Sequence, residues 1–302
     1  MDVSVVICTW NRARSLDRTL TALHRLRIPD ACQWELLVVD NNCTDATGAV
    51  LERHAGVLPL VRLTERRPGL SHARNAALRE VKGRYVLWTD DDVVVDEGWL
   101  AAYVAAFRRW PAASVFGGRI LPAFEVPPPT WLAQNLDWLG NCYALRDFGD
   151  AERILGPKEN PFGANMAFSA EALGSEPFDP ALGRREGLLR GGEETAVINR
   201  LRSAGAEVVW VPASRLRHAL PAERLTLAYI REYHRGQGLT RPRVAPRAFD
   251  ALRRWLHWLR LEVRWLVQRA TGRDPRTWLA TMVAASQVHG QLMAASVQRH
   301  AR

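Results

Sequence analysis

The chain has 302 residues, 47% of them hydrophobic, and a formal net charge of +9. That length suits one large domain, or one domain with an appendage, and the apolar content supplies an ordinary globular core. No window approaches the roughly 20 apolar residues of a membrane span, and Cys8, Cys32, Cys43 and Cys142 show neither metal-ligand spacing nor a disulfide framework.

Met1-Asp2 leads directly into Val3-Ser4-Val5-Val6-Ile7 with no basic flank or cleavage site, so no signal peptide is expected and a reducing, cytoplasmic location is. The charge is unevenly placed. Residues 223–302 hold 15 of the 41 basic residues and 5 of the 32 acids, a balance of +10, which leaves −1 for residues 1–222. A neutral body with a basic tail points to an anionic partner for the tail, membrane surface or nucleic acid.

Residues 3–8 predict a first strand, too continuously apolar to have a wet face. It ends at Thr9-Trp10-Asn11-Arg12. A helix is predicted from about Ser15, with Leu16, Leu20 and Leu23 on one face. Glu35–Val39 is a second strand ending at Asp40-Asn41-Asn42, Thr44–Thr47 opens a helix, and residues 58–63 are a third strand. A helix follows Gly69, from about Ser71 to Val81, and carries Arg74. The next strand, Tyr85-Val86-Leu87-Trp88-Thr89, runs into three consecutive carboxylates, Asp90-Asp91-Asp92. Acids so close repel one another and rise in pKa unless a cation sits between them. Hard oxygen ligands suit Mg²⁺ or Mn²⁺ held together with substrate phosphates.

Alternating strands and helices predict a mostly parallel, helix-covered sheet. Polar residues follow three of its strands: Thr9 and Asn11, Asp40 and Asn42, then Asp90 to Asp92. In a parallel sheet those ends share one edge, which is where open α/β sheets bind ligands.

Residues 97–109 predict a helix burying Trp99, Leu100, Tyr103, Val104 and Phe107, and Val115–Ile120 a short strand. An irregular stretch with Pro127-Pro128-Pro129, Trp131 and Trp138 follows, and the two tryptophans fit either sugar stacking or anchoring of the loop. Phe162–Phe168 reads as a strand opening with glycine. Gly191-Gly192-Glu193-Glu194 opens a helix to about Ser203, placing two carboxylates at its N-terminus. Glu207–Val211 is a strand, followed by Leu216-Arg217-His218. Residues 246–268 predict an amphipathic helix. Leu252, Trp255, Leu256, Leu259, Val263 and Leu266 lie on one side, with Arg253, Arg254, Arg260 and Arg264 beside them and Trp258 and Trp265 widening the apolar face. That pattern fits an interfacial membrane helix and also a helix packed on the body. Residues 277–298 predict a last helix.

Taken together, these motifs resemble a family 2 glycosyltransferase with the A-type (GT-A) fold. The resemblance rests on Val-Ser-Val-Val-Ile-Cys-Thr-Trp-Asn-Arg at 3–12, Val-Val-Asp-Asn-Asn at 38–42, Gly69 with Ala73-Arg74-Asn75, and Asp90-Asp91-Asp92. It continues through Gly163-Ala164-Asn165-Met166, Phe178-Asp179 and Gly192-Glu193-Glu194. It implies a Rossmann-like nucleotide-sugar-binding half at 1–120, an acceptor and catalytic-base half at 121–240, and a basic helical extension at 241–302. The implied reaction is inverting transfer of a hexose from a nucleotide-sugar, UDP foremost, to an acceptor hydroxyl on a glycan, a lipid-linked glycan or a small molecule, in glycan, polysaccharide or glycolipid assembly.

By the same resemblance, Thr9, Trp10, Asn11, Asp40 and Asn42 border the nucleotide, Arg74 lies near the pyrophosphate or base, and Asp90 and Asp91 join the donor site. Asp90 and Asp92 are the two acids of the Asp-X-Asp signature, and with His218 they would bind Mn²⁺ or Mg²⁺. Asn165 would face the donor sugar or acceptor. Glu194 takes the position of the usual aspartate as general base, with Glu193 as its fallback. Two other readings are weaker. A nucleotidyltransferase needs a basic, glycine-rich triphosphate loop near the first strand, and Thr9–Arg14 contains no glycine. A non-catalytic nucleotide-sugar or nucleic-acid binding protein fits the basic tail but not the near-neutral body. The expected location is therefore cytoplasmic, peripheral to the inner face of the plasma membrane.

Overall fold

The computed structural model describes residues 1–183, 191–240 and 248–300. In chain order the elements are β1 (Val3–Thr9), α1 (Ala13–Leu23), β2 (Trp34–Asp40), α2 (Thr47–Ala55), β3 (Leu60–Thr64), α3 (Leu70–Leu78), β4 (Tyr85–Thr89), β5 (Val93–Val95), α4 (Trp99–Arg109), β6 (Val115–Phe124), α5 (Thr130–Ala133) and α6 (Leu136–Leu139). They continue with β7 (Arg153–Ile154), β8 (Asn165–Ser169), α7 (Ala170–Leu173), α8 (Glu193–Ser203), β9 (Val208–Leu220), α9 (Leu227–Thr240), α10 (Ala248–Ala270) and α11 (Pro275–His300).

Two compact units result. One comprises Met1–Ala123, Tyr143–Gly183 and Gly192–Ala219; the other is built from Phe124–Cys142 and the described residues from Leu220 onward. The first unit holds a sheet ordered β3-β2-β1-β4-β8-β6-β9-β5, with β7 on β9. β3, β2, β1 and β4 are parallel. β8 runs antiparallel to both β4 and β6, and β9 antiparallel to β5 and β7.

Two cores explain why the first strands show no polar alternation. Val3, Val5 and Ile7 of β1 face one cluster with Leu16, Leu20 and Leu23 of α1 and Trp99, Leu100, Tyr103 and Phe107 of α4. Val6 faces the other, with Ala73 and Ala77 of α3 and Val197, Ile198 and Leu201 of α8. A sheet covered on both faces has no wet side to mark with polar residues.

The strand predicted to stop at Val211 continues to Leu220, so His218 lies on β9 itself, in register with Val93 of β5. Pro212 does not end it, because proline removes a backbone donor and leaves the carbonyl.

In the second unit, α9 and α11 meet through glycines. A Cβ on Gly238 would lie 2.2 Å from the Gln287 carbonyl oxygen, and one on Gly290 would lie 2.0 Å from that of Arg235. Trp131 rests near Trp278 of α11, ring centroids 6.2 Å apart. α10 is anchored through Glu262, which accepts from both Arg231 nitrogens at 3.0 and 2.7 Å and from the indoles of Trp258 and Trp265 at 3.1 and 2.6 Å. Trp265 is buried and Trp258 half-buried. These two rings therefore line the inward side of α10 and do not widen its outer apolar face, a correction to the sequence reading.

Candidate active site

The site lies at the carboxyl edge of β1, β2 and β4, as the parallel register requires: Thr9 pairs with Asp40, and Ile7 with Thr89. Asn11 and Asn42 turn the chain off β1 and β2 with φ of 52° and 66°, left-handed values that asparagine tolerates better than most residues. The Asn11 side chain accepts from the Thr44 amide at 2.7 Å, and Asn42 donates to the Arg66 carbonyl at 2.9 Å. Asp40 accepts from the Cys43 amide at 2.8 Å and from Arg62 at 2.7 Å. Burial pushes the Asp40 carboxyl upward, but that amide and guanidinium outweigh it and hold it below the usual range. Trp10 stands 43% exposed at the rim.

The three aspartates are not equivalent. Asp91 is buried and turned inward, accepting from the Thr9 hydroxyl at 2.7 Å and from Arg12 at 3.1 Å. Burial raises its pKa against the pull of Arg12. It ties the end of β1 to the end of β4. Asp90 is more exposed and makes no side-chain hydrogen bond or ion pair with the described residues. Asp92 accepts from Arg12 at 2.7 Å and lies 3.0 Å from Nε2 of His218. Ligand atoms of Asp90, Asp92 and His218 all fall within 4.8 Å of one another.

The hydrogen bonding of His218 tests whether this triad fits a metal. Its Nδ1 is 2.7 Å from the Tyr143 carbonyl, which can only accept, so Nδ1 carries a proton. In a neutral imidazole Nε2 is then a bare lone pair, and it faces a carboxylate oxygen. Two acceptors at 3.0 Å call for a cation between them or a second proton on the ring. A carbonyl holding the far nitrogen is also the usual way a metal-ligating histidine is oriented. Two carboxylates and one imidazole suit Mn²⁺ or Mg²⁺.

A second charged cluster sits at the N-terminus of α8. Arg74 donates to Glu193 at 3.0 Å, and its Nη1 is 3.8 Å from Glu194. Its guanidinium lies over Phe178 and Trp88, 5.2 and 5.7 Å from the ring centroids. Gly163 makes room for it, since a Cβ there would meet Arg74 Nη2 at 2.3 Å. Glu193 is nearly fully buried; desolvation and the neighbouring Glu194 raise its pKa against the opposing pull of Arg74. Cys8 lies near the end of β1. Burial pushes its thiol up to about 12, and it feels both Arg74 and the charges of Asp90 and Asp91.

Asn165 requires a correction. It is fully buried. Its carbonyl accepts from Trp99 at 2.8 Å and Tyr103 at 2.9 Å, and its amide donates to the carbonyls of Arg119 and Ser214 at 3.0 and 3.1 Å. All its hydrogen bonds are used inside the fold, leaving none for a sugar. Arg12 is the residue that sequence reasoning left without a role. A cation three positions beyond the end of β1 was the available signal.

The model for "Glycosyl transferase family 2" matches residues 4–170, more than half of the chain. This chain belongs to glycosyl transferase family 2. Similar proteins include the succinoglycan biosynthesis protein ExoM of Rhizobium meliloti, 24% identical over 258 residues, which span 84% of this chain and 78% of the relative. Among solved structures, the mannosyltransferase PcManGT of Pyrobaculum calidifontis, in complex with GDP-Man and Mn²⁺, superposes with a TM-score of 0.55. It is 21% identical, over 99% of this chain and 86% of that one. The 1–349 fragment of S. aureus TarS, in complex with UDP-GlcNAc, also gives 0.55, at 14% identity over 100% and 93%. The fold is therefore GT-A, and this family 2 glycosyltransferase moves a sugar from a nucleotide-sugar donor. No described helix is long and apolar enough to cross a membrane.

Proposed function

We propose that this glycosyltransferase is metal-assisted and inverting, and that it passes a hexose from a nucleoside-diphosphate sugar to an acceptor hydroxyl in polysaccharide or glycolipid assembly. The observation that carries the reading is the convergence of Asp90, Asp92 and His218 at the sheet edge. A divalent ion held there would neutralise the diphosphate as the glycosidic bond breaks. Thr9, Trp10, Asn11, Asp40 and Asn42 border the nucleoside, with the exposed Trp10 ring available to stack on it. Arg12 supplies positive charge beside Asp92.

Glu194 is the general base in this proposal. Its side chain is 15% exposed against 3% for Glu193, so it is the more accessible of the two to an acceptor. It takes the acceptor proton as the hydroxyl attacks the anomeric carbon opposite the leaving diphosphate, which inverts that centre. Arg74 and Glu193 hold the start of α8 and position Glu194. One base suffices for inversion, and no covalent intermediate is needed.

Relatives support both the donor class and the pathway class. The TarS and PcManGT structures hold UDP-GlcNAc and GDP-Man, and the ExoM relative is named for succinoglycan biosynthesis. UDP-sugars therefore head the test. A thermal-shift panel of UDP-, GDP- and dTDP-sugars with and without Mn²⁺ should show one nucleotide stabilising the protein, more strongly with metal, and not in Asp92→Ala. A flat panel with folded protein, together with wild-type transfer by Asp92→Ala, would sink the proposal.

A further inference from the structure

The outer face of α10 has no apolar partner among the described residues. Leu252, Trp255, Leu256, Leu259, Val263, Leu266 and Val267 are each between 40% and 58% exposed. At 100° per residue they share an arc of roughly 120°. Trp258, Leu261 and Trp265 fall on the opposite side, the side packed within the unit. The helix is thus apolar on two faces, and only one is packed among the described residues. An apolar patch of this size on one helix marks a binding surface.

Charge decides what covers it. Arg253, Arg260 and Arg264 line one edge of the stripe and are exposed. Residues 252–270 carry five arginines and one glutamate, a balance of +4. A second copy docked antiparallel, face to face, would set these rows against each other, which disfavours that self-association. An anionic surface is complemented. The helix is 23 residues long, about 35 Å at 1.5 Å per residue, and its arginines prevent it from spanning a bilayer. Lying in the interface plane, it would sink the stripe among acyl chains, with Trp255 at the edge of the stripe, while the guanidinium groups meet headgroup phosphates.

We infer that α10 is a peripheral membrane anchor, docking its outer face on an anionic lipid bilayer. Each arginine at such a surface strengthens binding about fivefold. The test is sedimentation of the full-length protein with vesicles of phosphatidylglycerol in phosphatidylcholine, and of phosphatidylcholine alone. The protein should partition onto the anionic vesicles and come off as salt is raised. Arg260→Gln with Arg264→Gln should weaken that partition about 25-fold. Leu259→Ser with Val263→Ser should weaken it more than about tenfold. All four positions are exposed, so both variants should keep the wild-type circular dichroism and melting temperature. Three results would overturn the inference: no partition onto anionic vesicles, undiminished partition of folded Leu259→Ser/Val263→Ser, or a dimer in lipid-free solution that this variant dissolves. The readout is binding and not transfer, so it is independent of the donor and base assignments.

Discussion

Arg74 and Glu193 form an ion pair at 3.0 Å in which the side chains are only 4% and 3% exposed. It joins α3 to the first residue of α8 across one core. Removing one partner of a buried pair strands the other charge, at a cost of about 3–5 kcal/mol. Arg74→Ala should lose stability in that range in urea denaturation, and adding Glu193→Gln should recover part of it. Arg74→Lys should also fall short of wild type, because an ammonium lacks the planar fork that stacks over Phe178.

In the proposed mechanism this pair divides the labour between the two glutamates. Glu194→Gln should lower kcat by about 10²–10⁴-fold, the usual worth of a general base, and leave donor affinity unchanged in a binding assay. Glu193→Gln should cost less activity, because it removes a support of α8 and not the base. The reverse pattern, with Glu194→Gln active and Glu193→Gln dead, would exchange the two roles.

Much of this architecture was legible because local and tertiary signals agree. Short apolar runs gave β1, β2 and β4, and their parallel register brings Thr9, Asp40 and Asp90 to one edge. The motif order also pointed to His218, although that residue joins the site only because β9 runs straight past Pro212. Asn165 misled, because its partners Trp99 and Tyr103 lie on a distant helix and only packing shows its amide to be satisfied. Arg12 was passed over for a related reason. Its role depends on Asp91 and Asp92 turning back toward it, which the linear order does not display. On α10 the periodicity found the apolar stripe, but the choice between inner and outer tryptophans required Glu262 and Arg231.

Asn165 offers a test of that correction. Asn165→Asp keeps the shape but turns two donors into acceptors facing the carbonyls of Arg119 and Ser214. Each unsatisfied buried group costs about 1–3 kcal/mol. The variant should therefore melt well below wild type, while its surviving folded fraction keeps a normal donor KM in steady-state kinetics. A large rise in KM without a stability loss would return Asn165 to the sugar site.

Metal dependence should be readable apart from catalysis. Mn²⁺ at about 100 times its Kd would stabilise the native protein by about 2.7 kcal/mol. Asp92→Asn should abolish that increment in denaturant melts taken with and without Mn²⁺. His218→Gln should reduce it and leave some, because Asp90 and Asp92 remain. If Asp92→Asn retained the full increment, the metal would have to bind elsewhere.

Glu65 gives a pH dependence away from the chemistry. Its carboxylate accepts from the Arg67 amide at 2.8 Å and from Arg67 Nε and Nη2 at 3.0 and 2.7 Å. The Arg67 side-chain hydrogen bonds, foremost, bring its pKa from about 4.5 down to about 2, against the upward push of burial. A carboxyl depressed in the folded state contributes stability above its unfolded pKa and loses it as pH falls through the folded one. The window is therefore about pH 4.5 to 2. Arg67 is 57% exposed, and solvent screening limits the contribution to about 1 kcal/mol. Urea melts of wild type and Glu65→Gln should differ by about that amount at neutral pH. The gap should close as pH falls through the window, because protonated Glu65 no longer attracts Arg67. A gap that stayed constant across this range would mean that Glu65 acts through its hydrogen-bond geometry and not its charge.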